Sequence, residues 1–403
     1  MAWSEKHGKH SWRVRYSKDD GTLGSINGFP TKTSADNYAD SIESDQRKGT
    51  WIDPSAGKIT LEEWSVDWLE ALDVAANTES QYRCLLKNHI LPRWGQVALS
   101  DITNSSVTTW AKKTRARGYA EASVSTMTKV LSMMLADAAD DHLIPANPIR
   151  TRQRGKRRRA KRTERLWATP DHVVRIADQA AALVGPWAAA LLITAGWTGA
   201  RWGELLGLQR HNTHLDDARL VIDPDIGALH EVDGRFSLGS PKTAESARTI
   251  TLPPFLVELL RSHLASHDHP HVFVTRDDEH PRRSNFSRRA MRPATDGNHH
   301  LTDPAIRTQP VKPGLTFHGL RHSHKTWLIE DNIPEIAQAR RLGHTLGDEI
   351  REIYSHLGPT VEPHLIDTLQ QRWTNAITDN PTHHFPPNWL THTTAHRTLR
   401  AVN

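Results

Sequence analysis

One cysteine, Cys84, is all that 403 residues provide. A single thiol excludes a disulfide framework and a cysteine zinc site, and it fits a reducing compartment. No apolar run approaches the roughly 20 residues that a membrane helix needs. The longest, around residues 186–196, suits a buried helix. The start, M-A-W-S-E-K-H-G-K-H, is polar where a secretory signal is apolar. Neither G-x-x-x-x-G-K-[ST] nor a Rossmann fingerprint occurs, and H-E-x-x-H is absent. These gaps predict a soluble, cytoplasmic protein with no membrane partner, no cofactor and no metal.

Charge is what the chain has, unevenly placed. The formal net charge is +5, yet residues 150–165, R-T-R-Q-R-G-K-R-R-R-A-K-R-T-E-R, carry +9, which leaves −4 for everything else. A solvated charge run and a nuclear-import tag are two readings of such a segment. Between two folded units it also suits a linker lying along a nucleic-acid backbone, trading counterions for side-chain cations. Arg150, Arg152, Arg154, Lys156, Arg157, Arg158, Arg159, Lys161 and Arg162 are then candidate DNA contacts.

Periodicity divides the rest. In residues 1–57, Trp12, Val14 and Tyr16 alternate with Arg13 and Arg15, the pattern of a half-buried strand. Asp20-Gly21 and Asn27-Gly28 predict turns between short strands, and an amphipathic helix follows, ending at Gly49. Arg13 and Arg15 give this small α+β unit a basic strand face, a candidate groove reader. Residues 58–149 predict a four-helix bundle: a capping box at Thr60–Glu63, then helices near 77–91, 103–117 and 121–141, with core stripes and no chemistry. Residues 166–375 begin with helices at 170–184 and 186–197, pass through a β-rich stretch at 218–252 and return to helix. An irregular insert lies near 294–313, and residues 376–403 read as a mobile polar tail. The fold class expected is multidomain and mainly α with small β-sheets.

Four motifs stand in the last unit. T-G-A-R-W-G-E places Arg201 at a helix start, able to offer its planar fork to two phosphate oxygens, with Glu204 one turn on. G-S-P-K-T places Lys242 at the tip of an expected β-hairpin. H-G-L-R-H-S-H, residues 318–324, invites a metal reading, but helix geometry weakens it. At about 100° per residue Arg321 lies about 60° from His318 and His322 about 40° the other way, while His324 is about 120° off. Three imidazoles so spread do not converge on one ion; His318 and Arg321 share a face and suit one anion. Finally, Gly343 ends a helix that leaves His344 at its tip, and Tyr354 follows on the next. Each match is weak alone.

Together, Arg201, Lys242, His318-x-x-Arg321, His344 and Tyr354 closely resemble the tyrosine recombinase, or phage integrase, family. F-H-G-L-R-H-S-H-K-T-W-L, L-G-H, I-Y-S-H-L and the ten-residue interval from His344 to Tyr354 carry the likeness. It is strong over 166–375 as the catalytic domain. It extends to 58–149 as a helical, SAM-like core-binding domain and to 1–57 as an arm-site domain. The insert and the tail depart from it.

The resemblance implies a site-specific recombinase that cleaves and rejoins double-stranded DNA through a 3′-phosphotyrosyl bond, integrating or excising a mobile element. Arg201 and Arg321 would stabilise charge on the phosphate, Tyr354 would attack, and His318 would take its proton. Lys242 would protonate the departing 5′ oxygen, and His344 would hold a phosphate oxygen or the tyrosine. The two larger domains would clamp the duplex, four protomers would act together, and the helix near 365–373 would contact a neighbour in trans. An accessory DNA-bending or excision factor is a further implied partner, and the source would be bacterial or phage. A type IB topoisomerase-like nicking-closing enzyme would use the same residues. A non-catalytic DNA-binding regulator and a metal-dependent nuclease are readings of other classes.

Overall fold

The computed structural model describes residues 1–18, 21–49, 51–53, 55–149, 165–299, 307–344 and 358–378. The chain forms two compact units, one ending at residue 160 and the other starting at 161.

In the first unit, β1 (Ala2–Lys6), β2 (Trp12–Ser17) and β3 (Leu23–Phe29) form an antiparallel sheet in that order. Val14 and Tyr16 point inward onto Ala35, Ala39 and Ile42 of α1 (Lys32–Lys48), one turn apart along that helix. Asn27-Gly28 does not reverse the chain. Gly28 takes a φ of 101° and the register slips between Trp12 and Arg13, so the pair forms a bulge inside β3. A positive φ is needed for either feature, and here the strand continues to Phe29.

A second core in the same unit gathers α2 (Leu61–Glu70), α3 (Ala76–Leu85), α4 (Leu91–Trp94), α5 (Asn104–Ala116) and α6 (Glu121–Asp140). The capping box forms as the sequence predicts, Thr60 N–H donating to Glu63 Oε2 at 2.8 Å. The expected helix over 77–91 widens into a π turn at 86–90. Pro92, just beyond, has no N–H to return to Asn88, which removes one bond of the α ladder. The α6 stripe from Val124 to Ala138 is buried throughout, and Trp64 Nε1 ties it down by donating to Met134 O at 3.0 Å.

The second unit is built around α8 (Pro186–Thr198), in which every residue from Trp187 onward is buried. A helix apolar all round belongs inside a core. Around it lie α7 (Pro170–Val184), α9 (Trp202–Gly207), α10 (Pro254–Leu264), α11 (Arg283–Phe286) and α12 (Arg292–Asp296). They are joined by α13 (Phe317–Glu330), α14 (Glu335–Leu342) and α15 (Val361–Thr378). One small sheet has the order β4 (Thr213–His214), β5 (Arg219–Ile222), β8 (Arg248–Thr251). A separate hairpin pairs β6 (Ala228–Val232) with β7 (Arg235–Gly239). The whole is mainly helical with small antiparallel sheets.

The helix near 365–373, expected to contact a neighbouring protomer, packs one face into this unit's own core. Trp373 stacks on Phe255 at 4.2 Å, Trp197 Nε1 donates to Leu369 O at 3.0 Å, and Arg372 pairs with Asp331 at 2.7 Å. This helix runs to Thr378, beyond the expected start of the tail; residues 379–403 lie outside the described ones. The insert is tied at both ends: Gln179 Nε2 donates to Ala294 O and Gln309 O, both at 2.9 Å, and Thr308 N–H donates to Asn298 Oδ1 at 2.6 Å. Its middle, 300–306, is also outside the described residues.

Candidate active site

The site starts where α8 stops. Gly199, at a φ of 66°, closes that helix; a Cβ there would stand 2.6 Å from Leu342 and 2.9 Å from His324. Two residues on, Arg201 opens α9, and its backbone N–H donates to Glu204 Oε2 at 2.9 Å. The guanidinium turns back: Nη1 donates to Glu204 Oε1 at 2.6 Å and to Ser246 Oγ at 2.8 Å, and Nη2 to Gly343 O at 3.3 Å. Glu204 therefore braces both the helix and the arginine. It is 2% exposed and also pairs with Arg248 at 3.0 Å. Burial alone would raise its pKa; Arg248, and then Arg201, outweigh that and hold it below the usual carboxylate range.

Arg321, on α13, is 5% exposed. Its Nη1 donates to Gly199 O at 2.7 Å; its Nη2 donates to Leu342 O and, at 2.8 Å, to His344 Nε2. Burial and the nearby Arg201 charge oppose its cation, but a guanidinium with a free pKa of roughly 13 keeps its proton. Because that group can only donate, His344 must accept through Nε2 and carry its proton on Nδ1. Burial, then Arg321 and Arg201, hold the His344 pKa at about 4. Arg201 and Arg321 each keep an Nε–H with no acceptor among the described residues. Arg201 and Arg248 share one buried carboxylate, and Arg321 beside them pairs with none among the described residues, so the site carries excess positive charge suited to an anion.

The three histidines of α13 separate as helix geometry predicts. His318 stands exposed beside Arg321, its ring edge-on to His322 at 4.9 Å. Partial burial first, then His322 and Arg321, hold its pKa at about 4, so at neutral pH it is an uncharged base. His322 meets Arg165 Nη1 at 3.2 Å. His324 faces the other way, fully buried, with Nδ1–H donating to Gly196 O at 3.0 Å and Nε2 accepting from Arg341 Nε at 3.0 Å. It is engaged at both nitrogens.

Lys242 is not on a hairpin tip. β7 pairs with β6, whereas β8 pairs with β5, so residues 240–247 cross between two sheets. The reason is register: β8 completes the β4–β5 sheet instead of returning along β7. Lys242 is exposed, and among the described residues its ammonium has no acceptor. The same loop reaches the site through Ser246, which takes the Arg201 bond and lies 3.0 Å from Thr243 Oγ1. Tyr354 and Arg150 to Arg162 lie outside the described residues. Arg13 and Arg15 lie on one sheet face and share Glu5, at 2.9 and 3.5 Å, so that face is less basic than a count of its arginines suggests.

Residues 166–360 match the family model described as the phage integrase family. The chain belongs to that family, the tyrosine recombinases. The prophage phiRv2 integrase of Mycobacterium tuberculosis is 28% identical over 367 residues, covering 86% of this chain and 88% of that one. The integrase of Mycobacterium phage L5 is 28% identical over 316 residues, 73% and 77% of the two chains. The Tn1549 transposon integrase, solved with a circular intermediate DNA, superposes with a TM-score of 0.58 at 15% identity. It covers 77% of this chain and 99% of that one, a likeness of fold.

Motif reading missed three groups of this recombinase's site. Arg248 and Ser246 lie just beyond G-S-P-K-T and Arg341 just before L-G-H, and none of the three belongs to a motif of its own. Charge was the available signal: Arg248 stands in a strand whose next residues alternate cleanly, and Arg341 stands in a helix whose apolar face it shares.

Proposed function

We propose that this site-specific DNA recombinase is an integrase of a mobile element that works through a 3′-phosphotyrosyl intermediate. One observation carries the reading. Two guanidiniums from distant parts of the chain, the partly exposed Arg201 and the buried Arg321, meet beside His344, and Tyr354 is the one tyrosine after residue 119. Arg201 and Arg321 hold the non-bridging oxygens of the scissile phosphate, where charge gathers as phosphorus becomes crowded; each such donor is worth several kcal/mol, roughly 3–4, in comparable sites. Tyr354 Oη bonds to phosphorus as the P–O5′ bond breaks. His318, uncharged at neutral pH, takes the tyrosine proton, and Lys242 gives one to the departing O5′. His344 presents Nδ1–H to a phosphate oxygen or to the tyrosine. A 5′ hydroxyl of a partner strand reverses the step, so the broken bond's energy is kept.

In this reading residues 1–57 hold an arm site, 58–149 and 166–375 hold the core site, and 150–165 track phosphates between them. Four copies act on paired duplexes in the cytoplasm of a bacterial host, with an accessory bending or excision factor. The prophage and phage relatives support the mobile-element assignment. Among the described residues no helix is long and apolar enough to cross a membrane.

The test is a nicked suicide duplex carrying the cognate core site. The wild type should give a protein–DNA adduct on a denaturing gel that resists EDTA, and Tyr354→Phe should give none. An adduct from Tyr354→Phe, or none from the wild type on any cognate site, removes the reading.

A further inference from the structure

Three consecutive backbone carbonyls, those of residues 341–343, each hold a different arginine. Arg248 Nε donates to Arg341 O at 2.7 Å, Arg321 Nη2 to Leu342 O, and Arg201 Nη2 to Gly343 O at 3.3 Å. His344, the next residue, meets Arg321 directly. The end of α14 is thus a ladder whose rungs set where the guanidiniums stand. Gly343 supplies the last rung at a φ of 63°, in a space where a Cβ would meet Glu245 O at 2.8 Å.

The ladder has its own anchor. The Arg341 side chain, 5% exposed, points into the core and spends its fork on three acceptors. Nε donates to His324 Nε2 at 3.0 Å, Nη1 to Thr251 O at 3.0 Å and Nη2 to Trp197 O at 2.9 Å. These acceptors come from α13, β8 and α8. No carboxylate lies within ion-pair distance of Arg341 among the described residues, and Glu362 acts on it only from farther away. Burying a cation without a counter-ion is costly, and an apolar side chain would fill the same space more cheaply. What an apolar residue cannot do is fix three directions in one plane. His324 matters because, being neutral, it can accept from Arg341 while donating to Gly196 O.

We infer that Arg341, held by His324, is a positioning residue that sets the carbonyl ladder and thereby aims Arg201 and Arg321 at the scissile phosphate. The inference rests on the proposed strand-transfer chemistry and goes beyond it, since neither residue touches the reacting atoms. A misplacement of about 1 Å at a reacting centre costs on the order of 100-fold in rate.

The experiment measures adduct formation on the suicide duplex and, separately, DNA affinity by gel shift, on full-length protein. Arg341→Met should slow adduct formation about 100-fold and Arg341→Lys, a single donor in place of a fork, about 10-fold. Affinity should stay within about 3-fold, because the phosphate contacts that dominate it are spread over many cations. His324→Leu should lose about 10-fold, and His324→Gln, a neutral donor and acceptor, should recover to within about 3-fold of wild type. Acting through Arg201, the Arg341→Lys loss should largely vanish in an Arg201→Lys background, whereas mere destabilisation would add to it. Should Arg341→Met fail to fold, the Lys and Gln variants decide. Wild-type rates in Arg341→Lys and His324→Leu, full additivity with Arg201→Lys, or no recovery in His324→Gln would each overturn the inference while leaving the chemistry intact. A wild type that forms no adduct overturns the chemistry itself, and the inference with it.

Discussion

Each unit contains two arginines that share one glutamate, and the two arrangements could hardly differ more. On the N-terminal sheet Arg13 and Arg15 meet Glu5 with side chains 22%, 37% and 43% exposed. In the second unit Arg201 and Arg248 meet Glu204, with side chains 24%, 6% and 2% exposed. An exposed pair is screened by water and salt and is worth roughly 0–1 kcal/mol. Its arginines can leave the carboxylate for another anion at little cost. The buried group cannot rearrange, because every donor it withdraws leaves an unpaired polar atom behind. Mobility suits a surface that needs only charge; fixity suits a reaction that needs direction.

The largest break in that contrast is a loss of rate. Arg321→Ala removes a donor aimed where charge develops and should cut adduct formation by about 10²–10³-fold. Arg13→Ala should leave the cleavage rate of a core-site duplex unchanged. Suicide-substrate time courses on both variants check this, and a comparable rate loss in Arg13→Ala would erase the distinction between the two arginine groups.

Stability should divide the same way. Glu204→Gln leaves Arg201 and Arg248 without a buried counter-charge and should destabilise the second unit by about 3–5 kcal/mol. Glu5→Gln should stay within about 0.5 kcal/mol. Urea titrations of the two variants decide, and equal midpoints would show that Glu204 is no more costly to lose than Glu5.

Acid distinguishes the units by a smaller margin. His263 and His271 are held at about 4 in the folded second unit, chiefly by burial and then by neighbouring histidines, against a usual value of about 6.5. Their folded pKa is depressed, so the unfolded chain binds more protons between those values. Stability is complete above about pH 6.5 and falls as pH drops toward 4. In the first unit burial works against the Asp53 anion, but Tyr16, Ser55 and Lys18 outweigh it and hold its pKa at about 2 rather than 3.8. That contribution persists down to about pH 3.8 and is lost only below it. Calorimetry between pH 7 and 4 should show the second unit's transition falling first. A first unit that softens equally over that window contradicts the assignment.

Which features could be read from sequence follows from how local they are. Pro170, Pro186, Gly199 and Gly343 mark helix ends within a few residues, so the helices at 170–184 and 186–197 needed no tertiary information. His318 and Arg321 share a face by angle alone, and the same angle turns His324 away. What His324 does instead depends on Gly196 and Arg341, and Arg248 depends on Glu204 and on the carbonyl of Arg341, partners that no local period can place. Register has the same blind spot: Asn27-Gly28 is a turn or a bulge according to what lies across from it, and β8 reads as a hairpin arm until β5 claims it. The α15 stripe, Leu365, Leu369 and Trp373, announces a buried face but not whose core buries it.

The smallest effect tests the sheet. If Arg13 and Arg15 contact phosphate, Glu5 competes with the DNA for both guanidiniums, and the direct register pairing of Glu5 with Arg13 keeps it in place. Glu5→Gln ends that competition and adds one unit of positive charge, while keeping the size of the side chain. Arm-site affinity at low salt should rise about 2–3-fold. The gain should fade as ionic strength passes about 0.15 M, where the screening length is only about 8 Å. The slope of log affinity against log salt should steepen by no more than about 0.9, the release of one further counterion. Unchanged affinity at low salt would mean that Arg13 and Arg15 are spent on holding the sheet together, and the exposed pair would then resemble the buried one after all.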